Sequence, residues 1–468
     1  MPARETGPRA AWPPRPVYLT ALPFFVLYTL YSLLRHAQLG TAGFDLGIFD
    51  QAVRAYANFD APVVPLKGPG FNLLGDHFHP ALIVLVPLYW LWADARMLLI
   101  AQAALMAISV VPIARLAIGR LGVRAGLAVA AAYGLSWGIQ GALGFDFHEI
   151  ALAVPLIAYA MAALAEERWR AAARWTLPLL LVKEDMGLTV AAVGGYLLLR
   201  RQWRLGGALV AAGATALALI LLVVIPHFSP SGEYRYWGSV RQGGDQGLLG
   251  QLLSLPGGFA EHPDKWILPI CLLGVTAFAA LRSPLLIIAA PVVLYRLASN
   301  NPLHWSVGFV HYNAILMPIV FVAFLDALSR LGQSDRRAAR AFARLSVPVA
   351  VVFAVGVLPQ FAFWRFTSPD FYRFSPGVTA ARDLMREIPD GATVAAGDYL
   401  APQLTDRCAV VLFPDPFRRA TDWVIVDTTR LSVVPAPEAQ QRAALQALPG
   451  QGFRLVGDRA GILLFHRA

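Results

Sequence analysis

The sequence predicts a polytopic α-helical membrane protein with a small α/β domain at its C-terminal end, and three observations carry that prediction. Of 468 residues, 57% are hydrophobic and only 15% are charged, against roughly 25% charged in a soluble protein, so one soluble core cannot hide the apolar surface. The apolar runs are long and are separated by short arginine clusters, such as Arg168, Arg170 and Arg174, or Arg336, Arg337 and Arg340. After Thr367 the pattern changes to short strand-like runs with turn residues between them. The net charge of +10 resides in the arginine clusters, a distribution that orients helices in a bilayer, and no nucleic-acid partner is expected. Cys271 and Cys408 lie in separate parts of the chain and supply no disulfide or metal framework.

In chain order, residues 1–16 form a polar, basic tail placed in the cytoplasm, and the run 16–34 is an uncleaved first span. The loop 35–80 then lies outside; it is too rich in Phe, Leu and Val to be disordered and folds against the membrane. Residues 81–93 are apolar but too short to cross. Spanning there would put Arg115, Arg120 and Arg124 outside, so this run reads as an interfacial helix. Spans follow over 97–118, 125–143 and 150–164. Residues 175–199 are interrupted by Lys183-Glu184-Asp185 and flanked by arginines at both ends. Either they form a hairpin of two short helices with the charges at its outer tip, or one span holds three charges at roughly 2.5–3.5 kcal/mol each. The spans 205–225, 265–281, 285–297, 312–328 and 347–363 bring the total to about eleven, with the N-terminus inside and the C-terminus outside. A second large external loop, 227–264, carries Tyr234-Arg235-Tyr236-Trp237 and Arg241. The domains are then the membrane unit 17–366 and an external α/β unit 367–468. In the latter, strands are expected over 392–396, 408–413, 423–426, 453–456 and 461–465, and helices over 378–388 and 437–447. Asp398, Asp415 and Asp427 lie near strand ends, where a ligand could bind, with solvated turn residues the favoured reading.

The candidate chemistry is concentrated on the outer side. Asp45 stands where the first apolar run ends and the chain meets water. If 44–51 continue as helix, Asp50 lies about 140° away around the axis, so Asp45 is the leading catalytic candidate and Asp50 the second. Gln51, Asp76, His77, Lys183, Glu184, Asp185, Arg235 and Arg241 are substrate-binding candidates, the cations for an anionic headgroup. His77, His79, Asp146, His148 and Glu149 form a mixed His/carboxylate set suited to a divalent transition metal, although none of the spacings is diagnostic. Ordinary hydrogen-bonded loop histidines are the competing reading.

The motifs Phe44-Asp45-Leu46-Gly47-Ile48-Phe49-Asp50-Gln51, Asp76-His77-Phe78-His79-Pro80, Phe145-Asp146-Phe147-His148-Glu149 and Lys183-Glu184-Asp185 resemble the DUF2079 family of bacterial membrane proteins over nearly the whole chain. His79 departs from the residue expected before that proline. The order of first span, Asp-bearing external loop, interfacial helix, Lys-bearing hairpin and soluble C-terminal domain is similar to the integral-membrane glycosyltransferases of the GT-C fold. That resemblance implies transfer of a sugar from a polyprenyl-phosphate donor to a lipid, glycan or protein acceptor at the outer face of a bacterial plasma membrane. It also implies a catalytic role for Asp45, a phosphate-binding role for Lys183, and in some members a metal ion. A transporter or flippase, or a non-catalytic binder of lipid-linked sugars, is the alternative. The chain shows no repeated half of the kind transporters carry.

Overall fold

The computed structural model describes residues 15–236, 255–299, 301–308, 310–417 and 419–468. The helix Leu316–Gly332 is the axis of the membrane bundle. Its residues 316–325 are apolar on all sides, and a stretch with that composition belongs inside. The segment that contains it, His311–Gly332, buries 83% of its apolar window, and Ala95–Leu121 beside it buries 72%. Trp203–Phe228 and Arg337–Gln360 bury only 22% and turn residues such as Leu222 and Val352 outward, where lipid would meet them. With Val17–Ala37 these are five helices long and apolar enough to cross a membrane among the described residues. Shorter apolar helices, Ile150–Ala165, Met186–Leu199 and Pro284–Ala298, fill the spaces between them.

Several expected spans are broken. The run 125–143 is two helices, Val123–Gly134 and Trp137–Phe145, parted at Leu135 and Ser136. The run 265–281 stops being helical at Gly274, and Ala277 and Phe278 take positive φ values of 51° and 59°. The expected interfacial helix is two short pieces, Pro80–Leu85 and Val86–Leu91. The last long helix starts at Arg337, well before residue 347, because Arg340 and Arg344 are good helix formers and extend it into the basic loop.

Residues 175–199 fold as the hairpin. One limb runs through Trp169–Thr176 and Leu177–Leu181, the chain turns at 182–185, and Met186–Leu199 returns. Its two ends meet: the Arg200 guanidinium pairs with Glu167 and lies 5.6 Å from the Trp169 ring centroid. The charged tip is thereby carried back to the start of Ile150–Ala165.

The C-terminal unit follows the expected element order. Helix Pro376–Arg386 precedes β1 (Thr393–Ala396), β2 (Ala409–Leu412) and β3 (Trp423–Asp427); helix Glu438–Ala447 precedes β4 (Phe453–Arg459) and β5 (Ile462–Arg467). The sheet order is β2-β1-β3-β5-β4, parallel from β2 to β3 and antiparallel beyond. One hydrophobic core joins this unit to the first loop, with Leu46, Phe49 and Val53 packed in the same cluster as Leu400, Leu404, Val410 and Leu412. That shared core positions the candidate site.

Candidate active site at the junction of the first loop and the C-terminal domain

The turn Gly43–Gly47 precedes the helix Ile48–Ala57, and within it Phe44 and Asp45 leave helical geometry (φ −84°, ψ 65° and φ 170°, ψ −72°). Asp45 and Asp50 therefore do not share one continuous helix. The turn is gripped from two sides. Gly43 N–H donates to the main-chain oxygen of Asp398 at 2.7 Å, and Phe44 N–H donates to the Asp398 carboxylate at 2.8 Å. Ala42 N–H donates to Asp146 Oδ2 at 2.9 Å, and the other oxygen of Asp146 is paired with Arg35. A Cβ at Gly43 would stand 2.7 Å from that of Ala401, so the close approach of the C-terminal unit requires glycine there. Burial pushes Asp146 up to about 6, against the pull of Arg35 and the Ala42 amide. Burial also raises Asp398, against the Phe44 amide.

With its flanks held this way, Asp45 keeps its carboxylate available. Its side chain is 26% exposed, and Oδ1 lies 3.4 Å from His148 Nε2. The His148 ring stacks on His311 with centroids 3.6 Å apart and is edged by Phe49 and Phe145. Neither nitrogen of His311 has a hydrogen-bond partner among the described residues, nor does His148 Nδ1.

Around this pair lies a shell of matched charges. Lys183 donates to Glu149 at 2.6 Å, both buried. Glu184 accepts from His77 Nδ1 at 2.6 Å, from Phe78 N–H at 3.1 Å and from the Tyr234 hydroxyl at 3.2 Å. Asp76 is paired with Lys67 and accepts from the Tyr236 hydroxyl at 3.0 Å, while Tyr236 stacks on His77 with centroids 4.7 Å apart. Burial would raise the Asp76 carboxyl, but His77 and Lys67 hold it below its ordinary value. The Lys67 ammonium also lies over Phe44 at 5.1 Å and Phe71 at 5.2 Å, which puts a cation beside the Asp45 turn.

The structure brings together most of the residues singled out from sequence, with several corrections. Asp50 is not at the site: it is fully buried on Ile48–Ala57, where it accepts from Tyr89 at 2.7 Å and from Arg54 at 3.1 Å. Gln51 is a tie, donating to Val410 O on β2 and accepting from Leu66 N–H, both at 3.0 Å. Lys183 is not an open cation, because Glu149 neutralises it in the interior. Asp185 is nearly buried at the hairpin tip, and its Oδ1 has no partner among the described residues. Arg235 is exposed between Tyr234 and Tyr236; Trp237 and Arg241 lie outside the described residues. Asp398, expected as a solvated turn residue, is buried and holds the Asp45 turn, whereas Asp415 and Asp427 are turn residues bonded to Arg419 and Thr429.

The proposed metal set does not fit a metal. Four of its members face different partners: His77 faces Glu184, Asp146 faces Arg35, His148 faces Asp45, and Glu149 faces Lys183. His79 is buried against the Phe49 ring, its Nδ1 without a partner among the described residues. Among the described residues no three His, Cys, Asp or Glu side chains converge to hold an ion. Lys67 was missed from sequence; its signal is a lone lysine between Leu66 and Gly68-Pro69 in an otherwise apolar loop.

The family model described as "Predicted membrane protein (DUF2079)" matches residues 35–464, and the chain belongs to that family. No curated protein matches. Among solved structures, ArnT from Cupriavidus metallidurans bound to undecaprenyl phosphate is 14% identical with a TM-score of 0.53, covering 95% of this chain and 97% of that one. The same protein in its apo state gives a TM-score of 0.52, again at 14% identity, over 96% and 97% of the two chains. The fold is the GT-C architecture of ArnT.

Proposed function

We propose that this DUF2079 member is a glycosyltransferase that moves a sugar from a polyprenyl-phosphate donor to a hydroxyl acceptor at the outer face of a bacterial plasma membrane. The observation that carries this reading is Asp45: a partly exposed carboxylate with the His148 imidazole against it, on a turn fixed by Asp398 and Asp146. The reaction needs a carboxylate that accepts the proton of the acceptor hydroxyl as its oxygen attacks the anomeric carbon. The bond from that carbon to the phosphate oxygen breaks, and the polyprenyl phosphate leaves with the electron pair. Cations steady that departing charge. The exposed Arg235 takes this role in our reading, in place of Lys183 and Lys67, which Glu149 and Asp76 neutralise. The bound undecaprenyl phosphate of ArnT supports a donor of the same class.

The test is transfer of radiolabel from a panel of polyprenyl-phosphate sugars to lipid and protein fractions by the purified chain. Transfer by the wild type, lowered about 10²- to 10⁴-fold in Asp45→Asn, is the expected result. Saturable donor binding without turnover on any acceptor would replace the enzyme with a carrier or binder of lipid-linked sugars.

A further inference from the structure

At the far end of the bundle a cleft of about 1050 Å³ opens between the first turns of two helices, Trp169–Thr176 and Trp203–Leu219. The helix Ile150–Ala165, 16 residues long and so rising about 24 Å, separates it from the Asp45 turn. Arg170, Arg174, Arg201 and Arg204 line the cleft with Trp169 and Trp203. The nearby acids are already paired: Glu166 with Arg115 at 2.6 Å and with Arg168 at the cleft margin at 2.8 Å, and Glu167 with Arg200. Of the five lining arginines, Arg168 alone has a carboxylate partner among the described residues; Arg170, Arg174, Arg201 and Arg204 have none.

The two helix ends add to this field. The N-caps are Arg168 and Gln202, and neither side chain accepts a hydrogen bond from its first turn. The first N–H groups of a helix have no intrahelical acceptor and carry partial positive charge, so two such ends beside four arginines favour an anion. The cleft is also open to the flank of the bundle. Leu205 and Ala208 form its apolar wall, Trp203 is 65% exposed, and Leu199 at the preceding turn is 67% exposed. A phosphate alone would leave that apolar surface bare. A phosphate carrying acyl chains covers both parts, and tryptophans at such a margin are the residues of a headgroup boundary.

We propose that this cleft binds the headgroup of an anionic phospholipid in the leaflet opposite the Asp45 turn, independently of the sugar-transfer reading. The test uses the full chain, delipidated in zwitterionic detergent and titrated with phosphatidylglycerol, phosphatidylcholine or inorganic phosphate. Lipid retention is read by native mass spectrometry and stability by the thermal midpoint. Phosphatidylglycerol is retained and raises the midpoint; phosphatidylcholine and inorganic phosphate do neither. The variant R170Q/R204Q retains phosphatidylglycerol roughly thirtyfold more weakly, the effect of two arginines at an anionic headgroup, while melting like the wild type in phosphatidylcholine. R336Q/R337Q, which removes two arginines from another basic loop, retains it as the wild type does. An equal loss in R336Q/R337Q would reduce the effect to diffuse surface charge and overturn the proposal. So would a midpoint shift reproduced by inorganic phosphate, or equal retention of phosphatidylcholine.

Discussion

The two ends of the helix Ile150–Ala165 treat charge in opposite ways. At its start, Glu149 and Lys183, Glu184 and His77, Asp76 and Lys67, and Asp146 and Arg35 are matched in pairs away from solvent. At its far end Glu166 and Glu167 answer only Arg115, Arg168 and Arg200, and Arg170, Arg174, Arg201 and Arg204 stand exposed and unmatched among the described residues. The matched end spends most of its charges on architecture and leaves the partly exposed Asp45 carboxylate available. The unmatched end leaves all four arginines for something outside the chain. A residue's charge therefore says less about function than whether the fold has already answered it.

The sharpest way to break this contrast is to unpair the matched end. Glu149→Gln leaves the Lys183 ammonium buried without its carboxylate, and removing one partner of a buried pair costs about 3–5 kcal/mol. Unfolding of the purified chain in detergent measures that loss. Lys183→Met combined with Glu149→Met recovers most of it, since the uncompensated charge is gone. Asp398→Ala comes next. It removes a charge-assisted hydrogen bond to the Phe44 amide at 2.8 Å, a contribution of about 1.5–3 kcal/mol. Because that bond fixes the Asp45 turn, transfer falls further than global stability does. A proteolysis assay set beside the transfer assay separates the two effects.

A pH series sharpens the same comparison at His77. Burial would lower its pKa and Lys183 lowers it further, but Glu184 and Asp76 outweigh both and hold it above the ordinary value. The folded pKa is the higher one, so the stabilisation is fully present below the unfolded value of about 6.5. It is lost as pH rises through the folded value. Protection of the Tyr234 and Tyr236 segment from protease therefore weakens from mildly acidic to alkaline pH, and Glu184→Gln flattens that profile. The smallest effect is expected at the unmatched end, where Arg174→Gln shifts stability in zwitterionic detergent by no more than about 0.5 kcal/mol.

Much of the fold was legible because it is written locally. Apolar runs and arginine clusters marked the bundle, and alternating short runs with turns placed the strands of the C-terminal sheet within one or two residues, except that β4 runs three residues past its expected end. At 175–199 the sequence allows either a hairpin or a single span, and the hairpin is seen only in the fold, where the tip meets Glu149 and His77. What stayed hidden depends on contacts distant in sequence. Asp398 reads as a turn residue until it is seen holding Phe44, 354 positions away. Asp50 and Asp45 look alike in sequence and are separated only by Tyr89 and Arg54, which enclose the first and not the second. The metal reading failed for the same reason, because His77, Asp146, His148 and Glu149 each face a partner from another element.

The central claim is that Asp45, and not Asp50, does the chemistry, and the most direct measurement compares Asp45→Asn with Asp50→Asn for both sugar transfer and thermal midpoint. The account predicts that Asp45→Asn melts like the wild type and loses transfer about 10²- to 10⁴-fold. Asp50→Asn lowers the midpoint, and the fraction that remains folded transfers at the wild-type rate. Full transfer by Asp45→Asn, or a folded Asp50→Asn that transfers nothing, would contradict it.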